Sequence, residues 1–138
     1  MIRRTLFIGR WRADFIFLFD DYSVDTIMDL LLEAGASLRI LDRVEKLLRQ
    51  NNDNTGFTFT NSTQRYALVV IGATSSGAEF IDTLVHEVHH LAVAIAESLG
   101  IDLESETPAY VAGDAARDLA DIVCLLGCRR PAQDKRVS

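Results

Sequence analysis

His86-Glu87-Val88-His89-His90 forms an H-E-x-x-H string within a run of apolar-periodic residues that contains neither proline nor interior glycine. On a helix, His86 and His90 leave the same face one turn apart and can grip a single metal ion, with Glu87 beside them. The chemistry such a set supports is hydrolysis. A catalytic zinc ion takes three protein ligands and keeps a fourth position for water, whose pKa falls to near neutrality. Glu87 would then serve as general base, taking the water's proton and delivering it to a leaving amine.

Two histidines alone make a weak site, so a third ligand is required. All three histidines of the chain lie in the pentapeptide. His89 falls about 100° from His90 and about 60° from His86 on a helical wheel, so it is badly aimed for the same ion. It reads better as a flanking polar residue. The third ligand should be a carboxylate further on, the candidates being Glu97, Glu104, Glu106, Asp114 and Asp118. Glu97 shares the histidine face two turns along, although an exposed helical glutamate is the usual explanation for such a residue.

The elements that must position these groups follow from periodicity. Asp14 to Asp20 is an aromatic and apolar segment bounded by acids and reads as a buried strand that must be covered on both faces, by the chain's own helices or by a partner subunit. From Val24 to about Arg49 a helical apolar stripe runs, with Gly35 as a break or kink. The polar cluster at 51–56 is a turn. Phe57-Thr58-Phe59-Thr60 then alternates as a half-exposed strand and pairs in a hairpin with the strand Arg65 to Gly72.

Ser76 with Glu79 is in capping-box register for a helix from about Ala78 to Leu99 that stops at Gly100. On its wheel Ile81, Leu84, Val85, Val88, Leu91, Ala92, Ile95 and Leu99 form the core side. Thr83, His86, Glu87, His90 and Glu97 fall opposite, facing a cleft. Pro108 fits the first turn of a last helix that ends near Gly127. The order is strand, helix, strand, strand, helix, helix, an α+β pattern.

Composition bounds the function. With 138 residues, 49% apolar and 25% charged, the chain fits one ordinary globular domain over 1–128, and residues 129–138 read as a flexible basic tail. No run approaches the roughly eighteen apolar residues of a membrane span. The formal charge of −6 argues against sequence-independent nucleic-acid binding. Arg10 interrupts the N-terminal apolar stretch before a signal-peptide core forms, so a cytoplasmic location is expected. Cys124 and Cys128, spaced i,i+4, read as buried, reduced thiols.

His86-Glu87-x-x-His90 followed by an acidic residue near the next helix resembles the gluzincin branch of the zincin-like metallopeptidases. Glu106-Thr107-Pro108-Ala109-Tyr110-Val111-Ala112-Gly113 looks like the Glu-x-x-Ala-Tyr-Leu-x-Gly segment of small members from bacteriophages and mobile elements. The resemblance spans roughly Arg65 to Leu126. It implies a small zincin-like domain, a short sheet packed against a long helix, with an active-site helix and a following C-terminal helix. It also implies Zn²⁺ as cofactor, a peptide or protein as substrate, Glu106 as third ligand and Glu87 as general base.

The same resemblance makes the strand Arg65 to Gly72 the edge that would hold an extended substrate. Pro108 lies close behind Glu106, which keeps Glu104 and Asp114 as alternatives. Tyr110, one turn from Glu106, is either a donor to the oxyanion or a core tyrosine. The alternative to a peptidase is a non-catalytic metal-binding or assembly protein on the same fold. A histidine-rich metal nuclease is disfavoured by the absence of a further downstream histidine and by the acidic balance.

Overall fold

The computed structural model describes residues 1–50 and 52–128, so the tail expected at 129–138 lies outside the described residues. The described chain is a small α+β domain with a four-stranded mixed sheet in the order β1-β2-β4-β3. Its strands are β1 (Ile2–Ile8), β2 (Trp11–Phe17), β3 (Gly56–Asn61) and β4 (Tyr66–Ile71). The helices are α1 (Val24–Glu33), α2 (Leu38–Arg49), α3 (Gly77–Ser98), α4 (Thr107–Asp118) and α5 (Ala120–Gly127). No helix among the described residues is long and apolar enough to cross a membrane.

β1 is a strand that the sequence reading did not anticipate. Its arginines drew attention to charge, yet Leu6 and Ile8 point inward while Arg3, Thr5 and Phe7 point outward, the period-two alternation of a strand. Gly9-Arg10 closes a two-residue hairpin from Ile8 to Trp11, with Gly9 at φ +58° as such a turn requires.

β2 and β4 pair in parallel at the centre of the sheet and are buried on both faces. Phe15, Phe17, Val69 and Ile71 pack under α3, α4 and α5, while Ile16, Leu68 and Val70 pack under α1 and α2. The chain's own helices therefore cover the aromatic strand on both sides. This placement corrects one expectation: the strand from Arg65 onward is central, not the edge. Its continuous apolar run Ala67 to Ile71 is what a doubly covered strand needs. The edge beside the histidine helix is β3, which forms the anticipated hairpin with β4.

The long helical stripe after Val24 is broken into α1 and α2 by Gly35 at φ +83°, and the Ser37 hydroxyl accepts from the Ile40 amide to start α2. The last helix is likewise divided at Leu119 into α4 and α5. That break re-phases the final segment. Ile122 and Leu126 turn inward, and Cys124 and Cys128 are exposed rather than buried.

Candidate functional site

α3 is the element that carries the pentapeptide. Ser76 caps it by accepting from the Glu79 amide at 3.1 Å, Pro and interior Gly are absent, and Gly100 at φ +67° ends it. Its buried stripe is rotated from the wheel expectation. Leu84, Val88, Leu91, Ala92 and Ile95 are buried as anticipated and Phe80 joins them, but Val85 is 62% exposed, and Ile81 and Leu99 are also exposed. Thr83 and Glu87, placed on the polar side by the wheel, are buried.

The reason is β3. Gly56 lets the strand approach α3 so closely that a Cβ built there would lie 2.9 Å from Thr83 Cγ2 and 3.2 Å from Glu87 Oε2. Glu87 is consequently only 5% exposed. Its carboxylate is not left without a partner: the Thr58 hydroxyl lies 2.9 Å from Oε1 and donates to it, with the Glu87 carbonyl at 3.2 Å as a second acceptor. Gly56, Thr58 and Thr60, which alternate on one face of β3, form a cleft of about 410 Å³ with His86, Glu87, His90 and Glu97.

Within this cleft His86 Nε2 and His90 Nε2 stand 3.2 Å apart, with their rings nearly perpendicular. Two nitrogens each about 2.0–2.1 Å from one tetrahedral zinc ion are separated by about 3.3–3.4 Å. The separation matches two adjacent ligands of such an ion, and it is equally that of a hydrogen bond between the two rings. His89 lines a different groove, between α3 and α4, in keeping with its poor aim.

The third donor is not assembled. Among the described residues no three His, Cys, Asp or Glu side chains group so as to hold a metal ion. Glu106 sits exposed at the start of α4, where its Oε2 accepts from the Tyr110 hydroxyl at 3.0 Å, and it does not line the histidine cleft. Tyr110 is 66% exposed, which corrects the core reading of that residue. Asp114 and Asp118 face Arg117 at 3.6 and 3.5 Å. Of the carboxylates singled out as ligands, Glu97 alone is in the cleft.

Three groups escaped the sequence reading. Thr58 and Gly56 were seen only as strand and turn residues, although their shared face of β3 is visible in the alternation. Asp14, read as a strand boundary, is 1% exposed and lies inside β2. It accepts from Thr5 Oγ1 at 2.6 Å and Tyr66 Oη at 2.8 Å, with Arg3 at 3.4 Å and Arg12 at 3.6 Å. Burial raises the Asp14 carboxyl, but the Thr5 and Tyr66 hydrogen bonds and the Arg12 and Arg3 charges outweigh it and hold it below the ordinary carboxylate value. Burial and the same contact push Tyr66 upward.

No protein-family model, curated protein or solved structure matches the chain.

Proposed function

We propose that this chain is a zinc-dependent peptidase of zincin-like organisation, working in the cleft between β3 and α3. One observation carries the reading: two imidazole nitrogens 3.2 Å apart stand beside a buried glutamate that the edge strand itself anchors. His86 and His90 would hold the ion. A carboxylate completes the set, Glu106 by resemblance, while Glu97 is the one that already lines the cleft.

When bound, zinc would polarise a substrate carbonyl and lower the pKa of a water so that it could lose a proton and attack. Glu87 would serve as the proton acceptor and donor for such a reaction, with Thr58 holding its carboxylate in one orientation. Among the described residues β3 pairs only with β4, so its outer edge offers backbone groups for an extended peptide. Tyr110 either stabilises the oxyanion or orients Glu106, to which it is already bonded.

A non-catalytic metal-binding or assembly protein on the same fold is the second reading, favoured by the lack of a grouped third donor among the described residues. Metal analysis and peptide hydrolysis separate the two. Zinc near one equivalent is expected in wild type, with loss in His86→Ala. Glu87→Gln should keep the metal and lose about 10²–10⁴-fold in hydrolysis. Zinc retained in Glu106→Ala but lost in Glu97→Ala would assign the third ligand to Glu97. Absence of zinc uptake by wild type would overturn the peptidase reading and leave an assembly protein on this fold.

A further inference from the structure

β3 has two faces, and each borders an open groove. The face of Thr58 meets the histidine cleft; the face of Phe57 and Phe59 meets a groove of about 560 Å³ between β3 and α2. This second groove is walled by Phe57, Phe59, Ile40 and Leu47, all only partly buried, and α2 sets Arg43 and Lys46 along it. Lys46 pairs with Asp42 at 3.0 Å, whereas Arg43 makes no ion pair among the described residues.

The two grooves flank one strand edge that no other strand of the described residues pairs. A peptide that extends the sheet at that edge sends successive side chains to opposite faces. Alternate residues therefore enter the histidine cleft and the α2 groove in turn. We propose that the α2 groove is a specificity site for the substrate, taking a bulky apolar or aromatic side chain with an acidic residue two positions away that reaches Arg43. The apolar walls have side-chain surface left uncovered by the core, and Arg43 supplies the charge complement. The proposal rests on the peptidase reading for its choice of ligand, but it makes a binding claim that can be tested apart from catalysis.

The probe is the N-acetylated peptide Thr-Phe-Thr-Glu-Thr-Phe-Thr-amide, added to the zinc-loaded full-length Glu87→Gln variant. Binding is followed by backbone amide shifts and titration. Shifts are expected at Leu47, Phe57 and Phe59. Replacing both phenylalanines of the peptide by serine should weaken binding by about tenfold or more. Replacing its glutamate by lysine should weaken it by about threefold to fivefold, and Arg43→Glu, on an exposed position of α2, should reverse that preference.

Binding that ignores both peptide changes and Arg43→Glu, absence of binding, or peptide-independent pairing of two protein copies through β3 would each overturn the proposal. Hydrolysis of the same peptides by wild type is scored separately. Cleavage without any preference removes the groove and leaves the peptidase; selective binding without cleavage in wild type keeps the groove and removes the peptidase.

Discussion

The Thr58 hydroxyl stands 2.9 Å from Glu87 Oε1 and so ties the edge strand to the helix that carries both histidines. A hydroxyl on the edge strand and a carboxylate on the neighbouring helix thereby share one geometry. In the proposed reaction, a peptide backbone along β3 and the proton-carrying Glu87 would thereby be held in a fixed relation. Thr58 would then act through Glu87, as a positioning residue.

Removing that hydroxyl without changing side-chain shape is the direct test. Thr58→Val should lower kcat by about 10–100-fold, the equivalent of a lost hydrogen bond to a charged group, with KM and zinc content nearly unchanged. Thr58→Ser should restore most of the rate. Equal losses in the Val and Ser variants would mean that the methyl group, through packing, and not the hydroxyl, matters.

Gly56 faces the same pair from the other side. A methyl group there meets Thr83 Cγ2 at 2.9 Å and Glu87 Oε2 at 3.2 Å, both on side chains buried beneath the strand. Gly56→Ala is expected to destabilise by about 1–3 kcal/mol in urea unfolding and to reduce hydrolysis further than that loss of folded protein explains. Unchanged stability and rate would show that β3 can move away from α3 freely.

Chelation should loosen the domain without unfolding it. His86 and His90 are exposed, and both core clusters are built from other residues, so the apo chain keeps its sheet and helices. Zinc bound to the native state alone adds about 2.7 kcal/mol at a hundredfold excess over Kd. Tm should therefore fall on adding a chelator to wild type and stay constant in His86→Ala. A chelator that lowers Tm equally in both would place the metal elsewhere.

Asp14 contributes pH-dependent stability on the far side of the fold. Because its folded-state pKa is depressed, the contribution is fully present above the unfolded value of about 3.9 and is lost as pH falls through the lower, folded value. Asp14→Asn should remove about 1–3 kcal/mol at neutral pH, the arginine contribution being small because both guanidiniums are partly solvated. The difference from wild type, measured by urea unfolding, should shrink as pH falls below the unfolded value. A difference independent of pH would mean that shape, not charge, is at stake.

The local signals in the chain were read correctly where a single element decides the outcome. The histidine helix, its Ser76 start and its Gly100 stop, the break at Gly35, the hairpin of β3 and β4 and the place of Pro108 in the first turn of α4 all follow from periodicity and caps. β1 was also legible, in the inward Leu6 and Ile8, but its arginines masked the alternation. Cys124 was misplaced because the side of a short terminal helix that meets the core depends on where the preceding helix breaks, and no residue there announces the break at Leu119.

By itself the sequence determined that His86 and His90 leave one face of a capped helix with Glu87 next to them, since one turn of helix fixes that relation whatever surrounds it. Only the tertiary structure decided what lies over that face. Which strand becomes the sheet edge depends on how the parallel β2–β4 pair shares its two neighbours, a non-local pairing that leaves no mark at residue 58. Once β3 is that edge and Gly56 admits it, Glu87 is buried against Thr58 while the imidazoles stay open.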